Sequence, residues 1–469
     1  MKGIRRPVRV RLLAASRGVS AAMGGSVATL VATAVATAVV TVVVTLVAVT
    51  WMPFTCAAAA GGGISAAGSG KKVTITWMHW NTGTRWAEYE KWVNEFEKTN
   101  PDIDVVPQQL AWEQIAQKVT VGVAGGSAPD VVSVSSTWGE SMAEQNVLLD
   151  LRPFIEKDRA AKVNDLDDIF PSALKLWQDA FGRQYAFPHD LDLALVFYNE
   201  DLFDVTGLPA PTDKWTWNDM LDIGKKFLKD VNGDGKYDQF AYSSWFADWY
   251  PYIWANGGEI LTPDLKGSAL GSTAARQALE WFGQFYPNRL HLMPSAVEAA
   301  NPSVLFMNGK IAMQPAGAWY GAYMIEQKAG FSFDVAHMPI SYAGKRATLL
   351  AGQGMAITVT SKHPEEAYRF ITYMASREPQ AALGSTQNQT PVRKSVALSR
   401  AFVNPEVPPK NKIAFVIALE GYARGDYKTA HWSKILAQLR STFNRYFTGL
   451  DSLDTALTKF AEQVKAITK

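Results

Sequence analysis

A single cysteine, Cys56, stands in 469 residues, so neither an internal disulfide nor a multi-cysteine metal centre can form. Histidine is almost as scarce. The six (His79, His189, His291, His337, His363, His431) are scattered, and none pairs at metal-ligand spacing. HExxH, GxSxG, a Walker loop and a GxGxxG after a strand are all missing, which removes the commonest motif-borne hydrolase and nucleotide chemistries. Charge of one sign is also lacking: 46 Lys and Arg face 44 Asp and Glu, a formal net charge of +2. Nucleic acid would require a concentrated basic face, so it is not an expected partner.

Charge disappears altogether between Gly18 and Gly70. A basic cluster (Lys2, Arg5, Arg6, Arg9, Arg11, Arg17) precedes that span, and VATLVATAVATAVVTVVVTLVAVTW within it is long and apolar enough to cross a bilayer as a helix. This order describes an export signal or, given the length of the run, an uncleaved anchor. PFTCAAAAGGGISAAGSG follows as a flexible linker, so residues 1–70 read as signal or anchor plus linker. Cys56 stands where a lipoprotein signal places its lipidated residue, although Pro53 and Phe54 depart from the usual residues before it. Residues 71 onward are expected outside the cytoplasm. They would sit on the outer face of the cell membrane by lipid or N-terminal anchor, or in the periplasm where the host has an outer membrane.

From Lys71 the chain is long enough for two domain-sized units. KKVTITWMHW reads as a strand, EYEKWVNEFEK as a helix with Tyr89, Trp92, Val93 and Phe96 on one face, and DIDVV as the next strand. AWEQIAQKVTVGVA is a helix and GGSAPDVVSVSS opens a buried strand. This βαβα rhythm predicts a parallel sheet, with ligand loops at the strand ends WMHWNTG (77–83) and VSVSSTWG (132–139). Farther on, LALVFYN, MNGKIAMQ and GMAITVT read as strands. TWNDMLDIGKKFLKD is a helix with Thr216 and Asp219 as its capping pair. SKHPEEAYRFITYMA and SLDTALTKFAEQVKAI are helices too.

Two stretches bear on chemistry. In DVNGDGKYD, Asp230, Asn232, Asp234, Lys236 (through its carbonyl) and Asp238 match calcium-loop positions, yet Ala241 replaces the closing glutamate. A solvated tight turn is the competing reading. In PHDLDLAL, Asp190 and Asp192 share one face of a strand, but neighbours on one strand cannot flank a glycosidic bond as a hydrolase requires. No cofactor beyond such a structural calcium, and no catalytic residue, is expected.

The stretches GVAGGSAPDVVSV, YAFPHDLDLALVFYNEDLF, WTWNDMLDIGKKF, WYPYIWANGGEIL, LFMNGKIAMQPAGAWY, LLAGQGMAIT and ALGSTQNQTPVRKSV occur in this order. Together, from about Val73 to the C-terminus, they resemble the extracellular solute-binding proteins of carbohydrate ABC importers, the maltose-binding-protein-like family. The resemblance implies an α/β, two-lobe periplasmic-binding-protein fold of class II type, with a hinge and an interlobe cleft. Its lobes would comprise 71–187 plus 347–385, and 188–346 plus 386–469. It also implies a monomer that carries a sugar, most simply an oligosaccharide, to the transmembrane subunits of an ABC permease. A polyol phosphate or acidic sugar in the same cleft, or a secreted carbohydrate-active enzyme or adhesion module, are the other readings.

A sugar ring has an apolar C–H face and a rim of hydroxyls, so its cleft needs aromatic platforms with polar groups between them. SSWFADWYPYIWANGG (243–258) is the richest aromatic stretch. Trp245, Asp248 and Trp249 are expected at the cleft mouth, with Tyr252 and Trp254 turned into the core. The family's ligand positions match Trp80, Asn81, Asp192 and Trp319. Asp190 shares the face of Asp192, and Ser135 and Trp138 end a strand. Gln353 lies at a Gly-flanked strand entrance, and Arg393 binds a hydroxyl pair or an acidic sugar, or braces the hinge. Trp112 and Trp432 are weaker candidates, each equally a packed helix residue.

Overall fold

The structure is a computed structural model that describes residues 72–469 apart from 245–248, 296–297, 299–301 and 388. The apolar run, the linker and Cys56, together with Trp245 and Asp248, therefore lie outside the described residues. Among the described residues no helix is long and apolar enough to cross a membrane.

Among the described residues thirteen strands build three sheets. They are β1 (Val73–His79), β2 (Ile103–Gln109), β3 (Val131–Ser135), β4 (Phe187–Pro188), β5 (Asp190–Leu193), β6 (Leu195–Asn199), β7 (Phe240–Tyr242), β8 (Ile311–Ala316), β9 (Phe333–Ala336), β10 (Thr348–Ala351), β11 (Gln353–Ile357), β12 (Thr390–Pro391) and β13 (Ala423–Arg424). The first lobe is organised on β2-β1-β3-β11-β4 and the second on β7-β8-β6-β9, while β12-β5-β10-β13 forms a small sheet of its own. The parallel sheet expected from the βαβα rhythm is realised only in part. β1 pairs in parallel with β2 and β3, but β11 runs antiparallel to β3 and β4. The reason is topological: β11 arrives from a distant part of the chain and slots between β3 and β4.

VVSVS is buried at every position of β3, as a strand covered on both faces must be. The helix Gly83–Thr99 covers the sheet with Tyr89, Val93 and Phe96, all buried, and Phe96 meets Phe370 edge-on at 5.2 Å. In the second lobe, Thr216 and Asp219 form the expected reciprocal capping box at the start of the helix Trp217–Phe227. The helix Leu453–Ile467 buries Leu453, Ala456, Leu457, Phe460 and Val464 along one face, with Ile467 at its end half-buried.

The small sheet links the lobes. The chain leaves the first sheet at Pro188, passes through β5 and enters the second-lobe sheet at Leu195. β10 pairs with β5 on its way back toward β11 (Leu350 opposite Leu193), and β12 pairs with the other edge of β5 (Thr390 opposite Leu191). Asp190 and Asp192 therefore sit on the strand at which the two lobes join.

Candidate ligand-binding cleft

The parallel strands β1, β2 and β3 deliver their C-terminal ends to one edge of the first sheet, and a tryptophan follows each: Trp80, Trp112 and Trp138. All three are half-buried. Trp80 and Trp112 each meet Trp138 edge-to-face, with centroids 6.1 Å apart in both pairs. Behind them His79 is buried, stacked on Trp86 at 4.4 Å, and accepts from the Asn81 backbone N–H through Nδ1. Desolvation lowers its pKa to about 4, so it stays neutral at physiological pH. The Asn81 side chain is buried with neither its oxygen nor its nitrogen hydrogen-bonded, and the indole nitrogen of Trp138 has no partner.

The floor is polar. Asp190 is buried and receives the Arg85 guanidinium at 2.7 Å and the Gln353 backbone N–H at 2.8 Å. Burial pushes the Asp190 carboxyl up, and Arg85 pulls against it. Arg85 also donates to Gln353 Oε1 at 3.3 Å, while its own Nε goes unbonded. Asp192, two residues on, accepts the Trp319 indole N–H at 3.1 Å through Oδ2; its buried Oδ1 has no partner. Desolvation, reinforced by the Asp190 charge, raises its pKa to about 6.

Trp319 opens the helix Trp319–Glu326 of the second lobe and separates two spaces. On one side, a narrow pocket of about 100 Å³ is lined by Asp192, Pro251, Gly317, Trp319 and Thr348. On the other, a cavity of about 440 Å³ is bounded by Arg85 of the first lobe, by Trp319 and Tyr323 of the second, and by Ser385 and Gln389. Gly317 permits the close approach: a Cβ there would lie 1.8 Å from Asp192 Oδ1 and 2.6 Å from the Trp319 indole nitrogen.

Asp192 and Trp319 thus meet at the lobe junction beside Asp190 and Arg85, while Trp80, Asn81 and Trp138 stand at the strand ends of the first sheet. Other candidates fare differently. Trp249, expected at the mouth, is only 9% exposed and packs against Phe282, Phe443 and Phe447. The expectation is corrected because the helices Thr273–Gly283 and Trp432–Phe447 close over that ring. Tyr252 and Trp254 do turn inward. Arg393 is not a hydroxyl ligand: it is buried and donates to the carbonyls of Ala375, Asp165 and Asn164. The Gln353 amide is buried and spent on Arg85 and Ser133, so it holds the floor instead of facing ligand. Ser135 is buried too and caps a turn by accepting from the Thr137 N–H. Trp112 joins the ladder, whereas Trp432 is buried against Tyr250 and Tyr427.

In the loop 230–238 the carboxylates are turned onto backbone amides. Asp230 accepts from Gly233, Asp234 and Gly235, and Asp238 accepts from Val231 and Asn232. Asn232 and Asp234 cap the N–H groups of Asp234 and Lys236. Among the described residues no group of three or more His, Cys, Asp or Glu is placed to hold a metal ion.

The sequence reading missed Arg85, Gly317 and the pair Tyr89–His189, bonded at 2.7 Å. Only the position of Arg85, just inside the helix that follows the first ligand loop, could have flagged it.

A two-lobed α/β receptor with a polar, indole-lined junction is the class this geometry defines. The profile of the bacterial extracellular solute-binding proteins matches residues 81–381, and the chain belongs to that family. It is similar to an ABC substrate-binding protein of Listeria monocytogenes solved in complex with cycloalternan: TM-score 0.74, 27% identity, over 84% of this chain and 99% of that one. The cyclic alpha-maltosyl-1,6-maltose binding protein of Arthrobacter globiformis shares the fold, with TM-score 0.72 at 18% identity, over 85% and 99% of the two chains. A binding protein of Brucella abortus is 23% identical over 410 residues, which is 86% of this chain and 95% of that one.

Proposed function

We propose that this chain is the receptor of an ABC importer, that it holds an oligosaccharide between its lobes, and that it passes the sugar to the transmembrane subunits. One observation carries the reading: half-buried indoles and unpaired buried polar atoms occur together, at the lobe junction and at the strand ends of the first sheet. Trp319 lines the narrow pocket beside Asp192, and Trp80, Trp112 and Trp138, packed edge-to-face at the strand ends, would offer further faces to the C–H side of a sugar. Asn81, the Trp138 N–H and Asp192 Oδ1 have no protein partner. Buried polar atoms left unpaired are costly, and sugar hydroxyls would satisfy both donors and acceptors.

The Listeria relative was solved in complex with cycloalternan and the Arthrobacter relative is a cyclic alpha-maltosyl-1,6-maltose binding protein, which supports a carbohydrate ligand here. A phosphorylated polyol fits poorly, since the Arg85 charge is already met by Asp190. Asp190 and Asp192 stand two residues apart on one strand and cannot flank a glycosidic bond, so the reading includes no catalysis. The protein acts as a monomer, held outside the membrane by a lipid on Cys56 or by its N-terminal run.

Calorimetric titration with linear and cyclic α-glucans, β-glucans and chito-oligosaccharides tests the proposal. Binding of at least one, recovered unhydrolysed, is expected. Absence of heat and of any tryptophan fluorescence change across the panel would refute it.

A further inference from the structure

Residues 422–433 form a strap rooted in the second lobe. Tyr427 donates its hydroxyl to Glu259 and accepts from the Ile260 N–H at 2.9 Å, and Asp426 accepts the Tyr250 hydroxyl at 2.7 Å. From this root Lys428 reaches the first lobe. Its ammonium lies 2.9 Å from Glu140, in the helix Gly139–Glu144 that follows Trp138, and donates to the Leu176 carbonyl at 2.9 Å. It also stands 5.9 Å from the centre of the Tyr185 ring.

We infer that Lys428 is an interlobe latch: it clasps Glu140 and the Leu176 carbonyl, holds the lobes together and seals the cleft at the Trp138 end. The sealed end is narrow, since the crevice lined by Ser136, Thr137, Glu140, Leu350 and Lys428 measures about 20 Å³. That is far less than the 440 Å³ cavity beside Trp319. Among the described residues the larger space open to a ligand beyond Trp319 therefore lies toward Ser385 and Gln389, a consequence that rests on the proposed carbohydrate reading. The electrostatics give Lys428 its weight. Glu140 feels Asp179 and Asp426 as well as Lys428, and Glu144 feels both Glu140 and Asp179. Arg183 of the first lobe already pairs with Asp179 at 2.6 Å and acts on Glu144, so Lys428 is the cation that the second lobe places beside Glu140. Without Lys428, acidic groups of both lobes would face each other across a partly desolvated junction, where like charges repel more strongly than in water.

Small-angle scattering of the sugar-free full-length protein tests the latch independently of any ligand. At low salt, Lys428→Met and Glu140→Gln should each shift the radius of gyration upward from the wild-type value, with Lys428→Arg remaining at the wild-type value. Raising NaCl to 1 M should open the wild type and leave Lys428→Met unchanged, because screening acts on the charges the variant lacks. Circular dichroism establishes that each variant is folded, and Glu140→Gln decides the matter should Lys428→Met fail to fold. A wild-type radius of gyration in the folded neutralised variants would overturn the inference and make the contact a passive one.

Discussion

Asp192 and Trp319 show how a single side chain acquires a role from its surroundings. The indole N–H occupies one carboxylate oxygen, the other is left bare, and Gly317 makes room for both. Trp319→Ala should weaken sugar binding by about 1–3 kcal/mol, the scale of a central aromatic contact, with the melting transition retained; titration calorimetry reads the loss. The Asp192 pKa is raised from 3.8 to about 6, so folding takes up a proton between those values. The charge therefore opposes folding fully above pH 6 and ceases to do so below about 4. A sugar hydroxyl donating to the ionised form reverses the preference in the complex. Affinity should consequently fall as pH drops through 6, and Asp192→Asn should abolish that step in a pH series while raising the melting temperature of the sugar-free protein at pH 7.5.

Among elements, strand ends and helix starts divide the labour. The loops after β1, β2 and β3 carry the indole ladder, whereas Arg393 ties the turn at 164–165 to the end of the helix Pro364–Met374 by donating to three carbonyls. Arg393→Met strips those carbonyls of their partner and should cost about 3 kcal/mol in denaturant unfolding. Sugar affinity, measured where the variant is still folded, should change less than threefold; a larger loss would return Arg393 to the cleft. Local pattern made most elements legible: the capping pair Thr216–Asp219 and the stripe from Leu453 to Val464 appear where the spacing puts them. It could not separate Trp249 from Trp319. Both follow a strand within an aromatic run, and only the packing of two remote helices decides that the first is core.

At the scale of the whole molecule, sugar bound between the lobes should stabilise the folded chain by mass action. Saturation at a hundred times the dissociation constant contributes about 2.7 kcal/mol, to be read as a rise in melting temperature that Trp319→Ala diminishes at equal sugar concentration. Alternating strand and helix periods determined an α/β architecture with its site at strand ends, because such patterns admit few packings and strand ends are where such folds bind; the two lobes came from the resemblance to carbohydrate solute-binding proteins. That resemblance also pointed to Trp80, Asn81, Asp192 and Trp319 as candidates, and the strand-end pattern to Trp138. Tertiary structure alone decided that Arg85 neutralises Asp190, that Gln353 and Arg393 serve the scaffold, and that Lys428 meets Glu140. Each of these contacts joins residues far apart in the chain, and the direction of a long polar side chain is set by partners that no local spacing encodes.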